Sequence, residues 1–537
     1  MDQKNQTPSG YDYETATVPA EPVVISAPTP PVTEPPAGDP PRPRFSIPTG
    51  TKELTFGFLI LVTGWLMLNS LLFGGGYYLG YAIFAGISVL LAAGYLLSTG
   101  CKPSFYSVLL LILDLVIIAS FARGDDNFVK FVMLCFLLFS VNLSLCLMAG
   151  QNAFRTGGIT SLGDTFRTII LLSTGKLPAA IRGLVDTSRK GGSAMKKVGA
   201  ALLGVGIALP LLCILIPLLI KADAAFEGIL KQLPDIGAGE ILATFLLGSV
   251  FAFWLYLRAV GLRHSPKPVA KEAKARKGLN ALTVNTVLIA VSVVYVVYLI
   301  SQLAYFSGGF AGVLPEEFTL AEYARRGFFE MAWICAVNLL VMCLAVGLCA
   351  KKKGRSPLVT RLLCLFIGLV TLFLVVSASA KMFMYIDSYG LTRLRVLTEV
   401  IMVFMGITTL VVSAWLFIPK LPYMKAILVI GLAIGAAVSW ADVDTVVAKY
   451  NVEAYQSGKL ETVDVDHLKT LGYGAVPYIY ELTRDADPAV AVQAKEAIEH
   501  WFGQAGGIED FRFWNYAQDI ADPYLPKPKE DAEVIAQ

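Results

Sequence analysis

Charge is what this sequence has least of. Asp, Glu, Lys and Arg make up 16% of its 537 residues while 55% are hydrophobic, whereas soluble globular proteins carry about a quarter charged residues. That balance excludes an ordinary water-soluble fold. Histidine is nearly absent: His264, His467 and His500 are the whole complement and none falls inside an apolar run, which excludes histidine metal chemistry within a membrane. The sequence has no Walker loop, no zinc-type histidine pair and no GxSxG elbow, so the signatures of soluble enzymes are missing and no catalytic residue, metal ligand or cofactor is assigned from motifs. All eight cysteines lie between Cys101 and Cys364, in apolar runs or at their edges; residues 441–537 contain none, and no disulfide framework is indicated.

What the sequence does have is long apolar runs. A hydrocarbon core of about 30 Å requires roughly 20 apolar residues per crossing helix. Eleven runs meet that demand, near 54–73, 77–98, 104–121, 129–150, 198–220, 239–261, 282–303, 327–350, 358–384, 396–418 and 425–440, the last being short. The expected fold class is therefore all-α: a polytopic transmembrane helix bundle followed by a short helical hairpin. Residues 1–50 are polar and Pro-rich, and the first apolar run lacks a small-residue cleavage site, so that run is expected to remain as the first span.

Lys and Arg in the loops set orientation. With the N-terminus inside, the cytoplasmic loops hold 21 basic residues and the opposite loops seven, counting Arg123, Lys221, Lys231, Arg325, Arg326, Arg393 and Arg395. The reading is a multi-pass plasma-membrane protein with a cytoplasmic N-terminus and an extracytoplasmic C-terminus. Residues 441–537, with 18 acidic and eight basic side chains, agree with export.

Four regions follow. Residues 1–50 form a disordered Pro-rich cytoplasmic tail in which PPRPRF reads as spacer before ligand. Residues 51–440 form the bundle, with amphipathic helices expected in the basic loop 151–197 and a kink at Pro210 and Pro217. Residues 441–503 form an extracytoplasmic helical hairpin: one helix from about 464, a break at Asp485–Pro488, and a second in which Ala489, Val492, Ala494 and Ile498 recur at helical spacing. This pair is similar to one HEAT-type repeat, which cannot close a core alone, so it should dock on the outer loops or on another chain. Residues 504–537 are aromatic, then acidic and Pro-rich, and their end reads as disordered.

Ionisable residues near or inside spans are costly in lipid and are the functional candidates. Most sort to the outer ends: Asp223, Glu322, Arg325, Arg326, Glu330, Lys381, Arg393, Arg395 and Glu399, joined by Asp387, Asp442 and Asp444. Thr319 and Glu322 have capping-box spacing, which starts a helix on which Glu322, Arg326 and Glu330 form one stripe; Arg395 and Glu399 repeat that spacing. Such a set either locks helix ends together through mutual pairing or lines a cavity that accepts a phosphate, carboxylate or anionic headgroup. Asp114, alone in the middle of the third span, accepts a bond from Ser140, Asn142 or Ser144, or moves protons or cations.

The phrases IALPLLCILIPLLIKADAAF, EYARRGFFE, YGLTRLR and DVDTVVAKYN, spread over most of residues 55–480, resemble a bacterial family of polytopic membrane proteins described as a domain of unknown function. The resemblance implies a shared bundle with a short helical tail and no activity. Three functions compete: a non-enzymatic envelope scaffold or sensor acting through its outer face and hairpin; a transporter or lipid-handling protein with an outward Arg-rich site; and a membrane-embedded transferase using outer carboxylates. The expected partners are the bilayer, an anionic lipid or envelope glycan, and a protein met through the hairpin; nucleic acid is not among them.

Overall fold

In a computed structural model of the chain, residues 50–72, 76–124, 126–151, 238–264, 278–310, 328–350, 356–501 and 510–526 are described, with scattered positions between 197 and 222. The expectations for residues 1–49, for loop 152–196, for the helix start at Thr319 and for the chain beyond 526 fall outside these residues. The span at 198–220 does so for the most part.

Hydrocarbon offers no partner to a backbone N–H or C=O, so an apolar run there satisfies its polar groups as a helix. The ten long helices that result are α1 (Thr51–Leu72), α2 (Leu79–Ser98), α3 (Phe105–Ser120), α4 (Asn127–Met148), α5 (Ala238–His264), α6 (Ala281–Phe310), α7 (Phe328–Leu348), α8 (Leu358–Tyr389), α9 (Arg393–Phe417) and α10 (Tyr423–Ala441). Nine of them, among the described residues, are long and apolar enough to cross a membrane; α3, with 16 residues, is the shorter apolar one. No strand occurs among the described residues beyond an isolated bridge between Leu279 and Cys349. Polar residues fix where helices begin. Ser104 and Ser107 cap α3 reciprocally, the Asp126 carboxylate accepts from Phe128 N and Val129 N at α4, and Thr392 accepts from Arg395 N at α9.

The helices gather in two groups. One, α1 to α5, packs around Phe56, Ile60, Leu145, Leu255 and Leu262. A close crossing joins α1 to α5, where Gly64 of α1 lies against Gly248 and Ala252 of α5; small residues let the backbones approach. The other, α6 to α9, packs around Met342, Cys364, Ile367 and Val412 on one level and Met331, Leu374 and Met402 on the next. Helix α10 bridges them, packed on α9 and running parallel to α3, where Tyr106 Oη donates to Lys425 O and Trp440 Nε1 to Val116 O.

Contacts between helix ends define two faces. On the first, Lys52 Nζ donates to Ser98 O, Gln151 Nε2 to Leu262 O, and His264 lies 3.5 Å from Glu53. Helices α4 and α5 both end here, so they run parallel and the chain leaves α4 at one face and enters α5 at the other. The second face carries the C-terminal part of the chain. Helix α8 reaches it with length to spare: 32 residues extend about 48 Å, so its last turns stand clear of a ~30 Å hydrocarbon layer.

On that second face α11 (Val443–Gln456) follows α10 with Asp442 alone between them, and α12 (Val465–Lys469), α13 (Val476–Leu482) and α14 (Pro488–Glu496) come next. They dock on the bundle: Val447, Val452, Leu468 and Ile479 share one continuous buried cluster with Tyr81, Phe121 and Met133 of the spans. The aromatic stretch then returns to the helix ends. Leu79 N donates to Trp514 O, Tyr516 N and Ala517 N donate to Ala122 O and Arg123 O, and the Arg512 guanidinium donates to Asn69. These bonds satisfy an amide at the start of α2 and carbonyls beyond the end of α3 that no intrahelical partner serves.

Inside the spans, polar groups pair locally. Of the three neighbours proposed for Asp114, Ser140 donates its hydroxyl to the carboxyl and Ser144 engages it as well. Arg258, fully buried in α5, lies with Nη2 2.8 Å from Cys146 Sγ; the charge count over loops passes over it because it sits inside a span.

Candidate functional site at the junction of bundle and tail

Three chain segments far apart in sequence meet where α10 passes into α11. Arg393, first residue of α9, presents Nε and Nη2 to the two carboxylate oxygens of Asp444 at 2.7 Å each. The same Nε lies 2.8 Å from Asp126 Oδ2. One guanidinium thus joins the start of α4, the start of α9 and the first turn of α11. The two carboxylate side chains are 7% and 3% exposed, so this is a desolvated arrangement in which the planar fork of arginine matters.

Asp442 completes the junction. It is the non-glycine residue at positive φ among those described (φ 53°, ψ 84°), and it serves as the end of α10 and the start of α11 at once. Its carboxylate accepts from Thr445 Oγ1 at 2.6 Å. A cavity of about 20 Å³, room for one water, lies beside it, lined by Gly124, Asp126, Lys130, Ser439 and Asp442 among others. Lys130 Nζ donates to Tyr77 O at 2.7 Å and sits over the Tyr78 ring. Arg123 sits over the rings of Trp440 and Tyr516. Although three aspartates gather, among the described residues no three His, Cys, Asp or Glu converge as a metal-ligand set.

Burial raises Asp444 to about 7; the Arg393 bond and charge oppose that, and the charges of Asp126 and Asp442 add to it. Burial also raises Asp442, opposed by the Thr445 hydroxyl and by Arg123 and Lys130. His467 is lowered, first by burial, then by Arg393 and Arg395 across the junction, while Asp464 pulls it back.

A second clamp lies alongside. Asn451 of α11 accepts from Leu391 N at 2.7 Å and donates to Leu391 O at 2.8 Å, holding the α8–α9 turn as a paired strand would. Gly390 permits it: at φ 73° a side chain is strained, and a Cβ would stand 2.5 Å from Asn451 Oδ1. Asn451→Ala leaves both backbone groups of Leu391 without their partner and is expected to destabilise the docked tail by about 2 kcal/mol. Protease resistance of the tail at graded denaturant reads this directly.

The predicted site residues divide. Arg393 and Arg395 come to the junction, but Arg395 donates to the carbonyls of Tyr389 and Gly390 and stacks on Tyr385, so its spacing with Glu399 yields no ion pair. Glu399 faces Ser379 on α8 instead. Lys381 is half-buried within α8, and Glu330 is exposed in the first turn of α7. Asp223, Glu322, Arg325 and Arg326 lie outside the described residues. Asp126 is the member that sequence reasoning missed; an aspartate just before an apolar run signals a cap, not an ion-pair partner.

The phrases YGLTRLR and DVDTVVAKYN are therefore the two halves of one contact. Residues 85–482, well over half of the 537-residue chain, match the family described as Domain of unknown function (DUF4153). The chain belongs to that family. The DUF4153 match runs from within α2 to the last residue of α13, so it takes in Asp126, Arg393, Asp442, Asp444 and Asn451 and leaves α1 and residues 510–526 outside. No curated protein and no solved structure matches the chain.

Proposed function

We propose that this integral membrane protein is a non-enzymatic component of the cell envelope, a scaffold or sensor whose tail, locked on the extracytoplasmic end of the bundle, is the part that meets a protein partner. The observation that carries this reading is the engagement of Arg393 with Asp126 and Asp444: the charged groups that a ligand would need are bound to one another and to the tail. Arg395 is likewise committed to backbone carbonyls. The excess of basic residues in the loops of the opposite face supports placing the tail outside, the N-terminus in the cytoplasm and the whole in a bacterial plasma membrane. The alternative of an outward anion or headgroup site draws its remaining support from Arg325 and Arg326.

Photo-crosslinking residues at Val446 and Val492, exposed positions of α11 and α14, test the proposal in the full chain in cells. The expected outcome is a discrete protein adduct at one or both, absent at the lipid-facing Val294 and lost in Arg393→Ala. Absence of any tail adduct, together with flux of an anionic solute that depends on the chain, would overturn it.

A further inference from the structure

The junction holds two carboxylates against one guanidinium. Asp444 and Asp126 lie 2.7 and 2.8 Å from the same Arg393 Nε, and both are nearly closed to water. When both are ionised, the trio carries one surplus negative charge in a desolvated place. Further charged groups face the junction from the elements packed against it. Arg123, from the turn after α3, and Lys130 of α4 face Asp442 at the α10–α11 joint. Arg123 lies against Trp440 and Tyr516, and Lys130 on the Tyr77 carbonyl. Asp442 adds its own negative charge toward Asp444. From α12, His467 faces Arg393 and Arg395 with Asp464 beside it.

We infer that the junction is a proton-controlled latch, in which one proton held by the Asp126–Arg393–Asp444 group keeps the tail helices on the bundle and its loss loosens them. The inference rests on reading this junction as the tail lock; it is independent of which partner the tail meets. The hinge is in place, since Asp442 alone connects α10 to α11 and already adopts the left-handed conformation. On release Asp444 enters water and becomes an ordinary carboxylate, with its usual value of 3.8 in place of about 7 when docked. Between those values the docked form binds more protons than the released one, so docking strengthens as pH falls through 7 toward 4, and the penalty is complete above 7. His467 has the opposite sign: docking favours its neutral form, and acid would loosen the tail through it.

Hydrogen exchange of the amides in 443–482, in the full chain in lipid, corrected for intrinsic rates, tests the latch. From pH 5.5 to 8.5 one proton with a docked value of about 7 predicts a rise of about 30-fold in the tail's opening constant, while the amides of α1 and α8 do not change. In Asp444→Asn the rise in opening toward alkaline pH should vanish, leaving only the acid-side loosening through His467; should that variant not fold, Asp126→Asn removes the same surplus charge and is expected to lose the rise as well. A wild-type profile without slope, an alkaline rise that survives these substitutions, or wild-type opening that grows toward acid pH overturns the latch. None of these outcomes bears on tail adducts in cells, so the latch and the scaffold reading fail separately.

Discussion

Arg393→Ala is expected to detach the tail and to lower the stability of its docking by about 3 kcal/mol, because truncating one member of a buried ion pair leaves the other charged and desolvated. Two carboxylates are left in that state here: Asp444, whose oxygens both lose a donor, and Asp126, whose Oδ2 loses its cation while Oδ1 goes on capping α4. Part of the loss is recovered by water entering, since the Arg393 side chain is itself one third exposed. Arg393→Lys keeps the charge and forfeits the fork, so an intermediate effect is expected. The pairing is separated from the packing by a double-mutant cycle: in an Asp444→Asn background the further loss on Arg393→Ala should be much smaller. Release of the tail is read by trypsin cleavage at Lys449 and Arg484 in intact proteoliposomes. Unchanged cleavage would mean that the apolar cluster of Val447, Val452 and Ile479 holds the tail by itself and that the ion pair adds nothing.

Gly248→Leu should damage the bundle rather than the tail. A Cβ at 248 would stand 2.6 Å from Trp65 Cα and 3.0 Å from Gly64 O, which are backbone atoms and cannot rotate away. Helices α1 and α5 must separate, and the bonds from Trp65 Nε1 and Asn69 Nδ2 to Thr244 Oγ1 separate with them. Overpacking of this kind costs about 3 kcal/mol, and in lipid no hydrophobic force draws the helices back together. The expected result is a fall in monodisperse protein after detergent extraction, with little change in membrane insertion. Gly94→Leu is the control, because a Cβ at 94 meets nothing within 4 Å. Equal behaviour of the two variants would sink the close-crossing account.

The spans were legible in the sequence because each is a local property. About 20 contiguous apolar residues must form a helix in hydrocarbon whatever surrounds them, and residues 358–384 or 396–418 announce α8 and α9 without reference to any partner. Ends were less legible: α8 continues to Tyr389 and α5 to His264, since Asp387 in one last turn and Arg263 and His264 in the other lower the local hydropathy while the helix goes on. The charge bias pointed to one face as the polar one, and Arg393, Arg395, Asp442 and Asp444 were all assigned to it.

What each charge binds was not legible. Spacing on a single helix paired Arg395 with Glu399, whereas the folded chain offers Arg395 the carbonyls of Tyr389 and Gly390 and the ring of Tyr385. Arg393 and Asp444 sit in different segments, and Asp126 in a third, so no periodicity connects them. The sequence by itself determined that the chain crosses a membrane many times as helices, because the solvent enforces that rule on every segment independently. Tertiary structure alone decided that Asp126, Arg393 and Asp444 share one buried site and that the tail closes over the bundle end. A charge carries no record of its counterion, and only the packing of α4, α9 and α11 brings these groups within 3 Å and removes the water that would otherwise serve them.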